Sequence, residues 1–107
     1  AETEILIQVE NLPLCRAFYR DALMLGNPEI DSNFLCRFRL ADGASLTLEQ
    51  VARRTAPNPK WSWEPDDPQL VFENLRAFGY QLKKTTAAQR PVRVLQDPES
   101  NSVLLME

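Results

Sequence analysis

The sequence predicts an α+β fold in which a strand–helix–strand order is used twice. Three observations predict it. A strand-like alternation at residues 4–10 is followed by a helical period, a breaker-rich stretch at 55–60 interrupts the chain, and the same order of elements then returns. At 107 residues, 44% of them hydrophobic and 25% charged, the chain is long enough for one real core and carries no low-complexity tract.

In EILIQVE, Ile5, Ile7 and Val9 share one face and Glu4, Leu6 and Gln8 the other, so one face is a core face. Asn11 offers an N-cap oxygen, and Leu12, Cys15, Phe18, Tyr19, Ala22 and Leu23 recur at helical spacing until Gly26 supplies a stop. Residues 27–33 leave room for a short strand. FLCRFRL and SLTLEQ then form two strands, joined through Asp42-Gly43, a strong hairpin signal.

TAPNPK reads as a linker, because its two prolines fit neither a helix interior nor a central strand. Beyond it come a strand at KWSWE, an N-cap at Asp67, Pro68 at the first helical position, and Leu70, Val71, Leu75 and Phe78 along a helix stopped by Gly79. QLKKT, PVRVL and SVLLM are three further strands. Val9 aligns with Pro65, Asn11 with Asp67, Asp42 with Asp97, and Leu46-Thr47-Leu48 with Val103-Leu104-Leu105, which is the pattern of an internal duplication. The boundaries follow: a single domain over 1–107, with a first module at 1–54, a linker at 55–59 and a second module at 60–107. A helix in each half must cover one face of its own strands, which leaves the other face open.

A net charge of −3 and the lack of a Lys/Arg cluster argue against a nucleic-acid partner. No apolar run approaches membrane-spanning length, and the acidic AETEILIQVEN does not read as a signal peptide, so a cytoplasmic protein with no membrane partner is expected. Cys15 and Cys36 form no CxxC pair, and the chain has no histidine; both are expected to be buried free thiols.

VENLPLCRAFYRDALMLG is similar to the pattern V-x-D-L-x-x-S-x-x-F-Y-x-x-x-L-G, and DPESNSVLLME to D-P-D-G-N-x-x-E-L. With WEPDDPQLVFENLRAFG as the second strand and helix, the chain resembles the vicinal oxygen chelate superfamily of glyoxalases, bleomycin-resistance proteins and extradiol dioxygenases. The resemblance implies two tandem βαβββ modules forming a cupped antiparallel sheet, with helices on the outer face and ligands in the cup. Asn11, Cys15 and Ser100 depart from the family's acid, serine and turn glycine, although Asn101 is a residue that can adopt a left-handed conformation in that turn.

Enzymes of the family hold a divalent metal at positions that fall here on Glu4, Thr47, Lys60 and Leu104. Of these only Glu4 is an ordinary ligand; Lys60 is cationic and Leu104 has no lone pair, so no metal and no cofactor are expected. Strand parity then gives the expected ligand-binding wall: Glu4, Leu6 and Gln8; Arg37 and Arg39; Thr47 and Glu49; Lys60, Ser62 and Glu64; and Ser102, Leu104 and Met106. Trp61 and Trp63 have the opposite parity, toward the helices. The expected function is metal-independent binding of an organic small molecule by a homodimer, as in drug or toxin sequestration and antibiotic resistance. Two rivals stand beside it: a lyase or isomerase with Glu4, Glu49 or Glu64 as base, and a non-catalytic structural or interaction module.

Overall fold

In the computed structural model the alternation of EILIQV forms β1 (Glu4–Val9), with Ile7 and Val9 fully buried and Glu4 and Leu6 exposed. The structure describes residues 3–107; the first two positions of the N-terminal AETEILIQVEN stretch lie outside them. Asn11 caps α1 (Leu12–Ala17) by accepting a hydrogen bond from the Leu14 N–H at 3.2 Å, and the helix runs straight into a π-helical turn at Phe18–Ala22. Widening the helix there brings Phe18, Tyr19 and Ala22 together on the buried side. Gly26, at φ +79°, then closes the segment with its N–H bonded to the Arg20 carbonyl.

A short β2 (Ile30–Asp31), β3 (Leu35–Arg39) and β4 (Ser45–Gln50) complete the first half. Arg16 on α1 ties down this edge through Asp31 at 2.8 Å and the Ser32 carbonyl at 2.8 Å. The second half repeats the plan with β5 (Trp61–Trp63), α2 (Pro68–Ala77), β6 (Lys83–Ala87), β7 (Arg90–Gln96) and β8 (Ser102–Met106). Asp67 caps α2 through the Leu70 N–H, as Asn11 caps α1. At its other end Tyr80 N–H bonds the Leu75 carbonyl and Gly79 N–H the Arg76 carbonyl, a Schellman closure that needs the left-handed Gly79 at φ +93°.

The strands form two four-stranded sheets, ordered β1-β4-β3-β2 and β5-β8-β7-β6. The α+β class and the two tandem βαβββ modules are as expected, but the strands form two sheets and neither is wholly antiparallel. Both sheets are mixed, because a helix lies between the first strand and the rest of each half and returns the chain so that β1 runs parallel to β4 and β5 to β8. The hairpins β3-β4 and β7-β8 are antiparallel, as is β6-β7.

One face of each sheet packs against the helices. Ile7, Val9, Cys36, Phe38, Leu46 and Leu48 from the first sheet share a single core with Trp61, Trp63, Leu95, Val103 and Leu105 from the second. Tyr19 stands at the meeting point, its ring 6.4 Å from Phe38 and 6.3 Å from Trp61. Trp61 and Trp63 thus face the helices, and Cys15 and Cys36 are buried free thiols. Arg93 also points to the helix side, its guanidinium 4.9 Å from the centre of the Phe72 ring on α2.

Candidate functional site

The helix-free face is built from the other parity of each strand. On the first sheet, register aligns Leu6, Thr47 and Arg37 across β1, β4 and β3, and Gln8, Glu49 and Leu35 one step along. Arg37 reaches across β4: its Nη2 donates to Glu4 Oε1 at 2.9 Å and its Nε to Thr47 Oγ1 at 3.3 Å. Thr47 Oγ1 in turn donates to the same Glu4 oxygen at 3.3 Å. Gln8 Nε2 donates to Glu49 Oε1 at 3.1 Å, and Arg39 engages Glu29 and the Gly43 carbonyl. All seven expected residues of the first half therefore share this face, and Glu4, Thr47 and Arg37 form one bonded cluster.

On the second sheet Ser62, Leu104 and Val94 make the equivalent row. Met106 sits opposite Val92, which is fully buried yet lies outside the main core. Arg90, at the start of β7 beyond the last β7-β8 pair, donates Nη2 to Glu64 Oε1 at 3.1 Å. Ser102 is half-buried at the start of β8, while Lys60 and Glu64 flank β5 and are exposed. No hydrogen bond or ion pair described in the structure joins the Glu4 cluster to Lys60, Ser62, Ser102, Leu104 or Met106.

The two halves meet through residues that strand parity did not single out. Asn58, just ahead of β5, receives the Gln8 N–H on its Oδ1 and donates its Nδ2 to the Gln8 carbonyl, holding the backbone of β1 as a neighbouring strand would. Its Nδ2 and Arg54 Nη1 both donate to Asn101 Oδ1, at 2.8 and 2.9 Å. A β1 edge needing a partner and an Asn-Pro pair entering β5 were the available signals. Two surface clefts lie away from the Glu4 cluster, one of about 410 Å³ against Tyr80, Lys83, Val94 and Gln96, the other of about 400 Å³ beside Asp42, Glu64 and Asp66.

The β7-β8 turn carries a second polar group, on the helix side. Glu99 accepts hydrogen bonds from the N–H groups of Glu10 and Asn11 and from the Cys15 thiol, the last at 3.3 Å. Burial pushes the Glu99 carboxyl up, but those hydrogen bonds and the nearby Arg54 outweigh it and hold the group below its ordinary value. Burial first, then the bond to Glu99, raises the Cys15 thiol far above the usual thiol range, so it is no nucleophile. Burial and the adjacent Asp97 carboxylate likewise keep Tyr19 protonated. Within the turn Ser100, not Asn101, takes the left-handed conformation at φ +65°. Asn101 instead uses its side chain, donating Nδ2 to Asp97 Oδ2.

The four positions implied for a metal do not suit one. Glu4 is already neutralised by Arg37, Thr47 offers a hydroxyl that donates to Glu4, and Lys60 and Leu104 supply no lone pair. Among the described residues no group of three or more His, Cys, Asp or Glu side chains is placed to hold a metal ion. No helix among them is long and apolar enough to cross a membrane.

No protein-family model matches the chain, and no curated protein matches it in sequence. Solved structures do. A glyoxalase/bleomycin resistance protein from Catenulispora acidiphila superposes with a TM-score of 0.79 at 16% identity, covering 99% of this chain and 96% of that one. A lactoylglutathione lyase from Agrobacterium tumefaciens gives 0.77 at 21% identity over 100% and 92%. An integron cassette protein from the mobile metagenome of the Halifax Harbour sewage outfall gives 0.79 at 13% over 98% and 96%. Superposition over whole chains, with the same repeated order of elements, shows that this chain has the fold of the glyoxalase and bleomycin-resistance proteins, the vicinal oxygen chelate fold.

Proposed function

We propose that the chain binds an organic small molecule on the helix-free face of its sheets, without a catalytic metal. The observation that carries this reading is the position of Arg37. Its guanidinium bridges Glu4 and Thr47, the two first-half positions where the fold's metallo-enzymes place ligands. A fixed organic cation there supplies hydrogen-bond donors for recognition, whereas a metal would need those oxygens for itself. The carboxylates proposed as alternative bases are each tied to a partner of their own: Glu4 to Arg37, Glu49 to Gln8 and Glu64 to Arg90. That favours recognition over proton abstraction.

Sequestration of a drug or toxin is the role that fits such a site, and antibiotic resistance its biological form. The active species in this reading is a homodimer; light scattering at micromolar concentration gives twice the chain mass if so, and the chain mass if not. A thermal-shift screen of amphipathic drugs, thiol conjugates and divalent metals tests the binding itself. A ligand that prefers the folded state at 100 times its Kd adds about 2.7 kcal/mol of stability, and Arg37→Ala should reduce the shift. Stoichiometric nickel, zinc or manganese binding that switches on glyoxalase-type turnover would overturn the reading, as would a screen in which no organic compound raises the Tm.

A further inference from the structure

The β6-β7 ladder ends before β7 does. Lys83 and Val94 form the pair at that end, and Leu95 and Gln96 continue along β8 alone. Ahead of β6 the chain is held elsewhere: Tyr80 sets its ring edge-on to Phe18 at 4.8 Å, and Leu82 packs against the core. Gln81 and Lys83, alternating with them, stay exposed. Where the strands part, a cleft of about 410 Å³ opens, lined by Tyr80, Gln81, Lys83, Val94, Leu95 and Gln96. Small-molecule sites run from roughly 300 to 1,000 Å³, so the cleft is large enough for one compact ligand.

The polar side chains of this lining are unspent. Among the described residues, the Tyr80 hydroxyl, the Gln81 and Gln96 amides and the Lys83 ammonium have no hydrogen-bond or ion-pair partner. Lys83 is the only charged residue of the lining, and Val94, opposite it in register, supplies half-buried hydrocarbon. Asp97 is the carboxylate whose charge reaches Tyr80, but it is buried and already accepts from Tyr19, Glu99 and Asn101. Burial, and then that charge, raise the Tyr80 phenol above its ordinary value, which keeps it protonated and a donor. A cationic ligand would meet Lys83 as a like charge with no carboxylate in the lining to receive it. An anionic head meets a cation and a neutral donor.

We propose that this cleft is a second binding site, taking a small organic acid whose carboxylate is held by Lys83 and the Tyr80 hydroxyl and whose hydrocarbon body lies on Val94. It stands apart from the Arg37 reading, since the lining shares no residue with the Glu4 cluster.

Three probes with one ring system test it: 2-naphthoate, 2-naphthamide and 2-naphthylmethylammonium, titrated into the nitrogen-15-labelled full chain and followed by amide chemical shifts. Expected is saturable movement of the amides of residues 80–83 and 94–96, with the naphthoate at least tenfold tighter than the ammonium. Lys83→Gln should remove that preference and leave the neutral amide unchanged, while Lys83→Arg should keep it. Tyr80→Phe should weaken the naphthoate several-fold. Lys84→Gln, which removes the neighbouring lysine of opposite parity, should change nothing. A naphthoate that leaves residues 80–83 and 94–96 unmoved, binds no tighter than the ammonium, or is indifferent to Lys83→Gln would overturn the proposal. Shifts confined to the surroundings of Glu4, Arg37 and Thr47 would overturn this cleft while supporting the site there, so the two readings fail separately.

Discussion

Tyr19 donates its phenolic hydrogen to Asp97 at 2.6 Å, a buried bond between residues 78 positions apart. Asp97 is satisfied three more times, by the N–H groups of Glu99 and Asn101 and by Asn101 Nδ2. A turn that would otherwise be a surface loop is thereby locked to the first helix. Removing the hydroxyl leaves a buried carboxylate short of one donor, and hydrogen bonds to charged groups contribute about 1.5–3 kcal/mol. Tyr19→Phe should therefore lower unfolding free energy by about 2 kcal/mol in urea titrations, with an unchanged m-value.

Glu99 gives the fold an acid sensitivity with a defined sign. Its folded pKa lies below the ordinary 4.5, so its contribution is present above about pH 4.5 and is lost as pH falls through the folded value. Glu99→Gln should lower the Tm at neutral pH and flatten the acid-side decline. Melting curves of both proteins from pH 7 downward check this; parallel declines would mean that other carboxylates set the acid limit.

Ser100 holds a left-handed backbone at φ +65°, which costs a residue with a Cβ about 1–2 kcal/mol, partly offset by the greater unfolded-state freedom of glycine. Ser100→Gly should stabilise the protein by about 0.5–1 kcal/mol, read as a higher urea midpoint.

The β6-β7 hairpin turns on Ala88 and Gln89, at φ +52° and +63°, between the paired Ala87 and Arg90. Two consecutive left-handed residues define a turn for which Asn-Gly is the favoured pair. The double substitution Ala88→Asn, Gln89→Gly should raise stability by about 1 kcal/mol or more, again from denaturant midpoints. A lower midpoint would count against this turn.

These positions mark how far the sequence could be read. Caps and stops were legible because each is local: Asn11, Asp67, Gly79 and Asp42-Gly43 act on residues two to four away. The Ala88-Gln89 turn was not, since neither residue signals a positive φ and the sheet imposes it. Strand parity correctly grouped Glu4, Thr47 and Arg37 on one face, for a two-residue period needs no knowledge of partners. What it could not give was the pairing, parallel at β1-β4 and β5-β8, or the long-range bonds of Asn58, Asn101 and Glu99. Arg93 shows the same limit from the other side. It is the one charged residue of PVRVL, yet it lies under α2 against Phe72, while its neighbours Val92 and Val94 face away.

The clasp at Glu99 also bears on how this chain comes to be folded. The start of α1 is held from both halves, by Asn11 and Gln50 on the Leu14 and Leu12 N–H groups and by Glu99 on the Asn11 N–H. The N–H groups of Glu10 and Asn11 and the hydroxyl of Tyr19 all wait for residues 97–99. During synthesis these particular contacts form only once residues 97–99 have emerged. The two similar halves are thus joined by hydrogen bonds that neither can make alone.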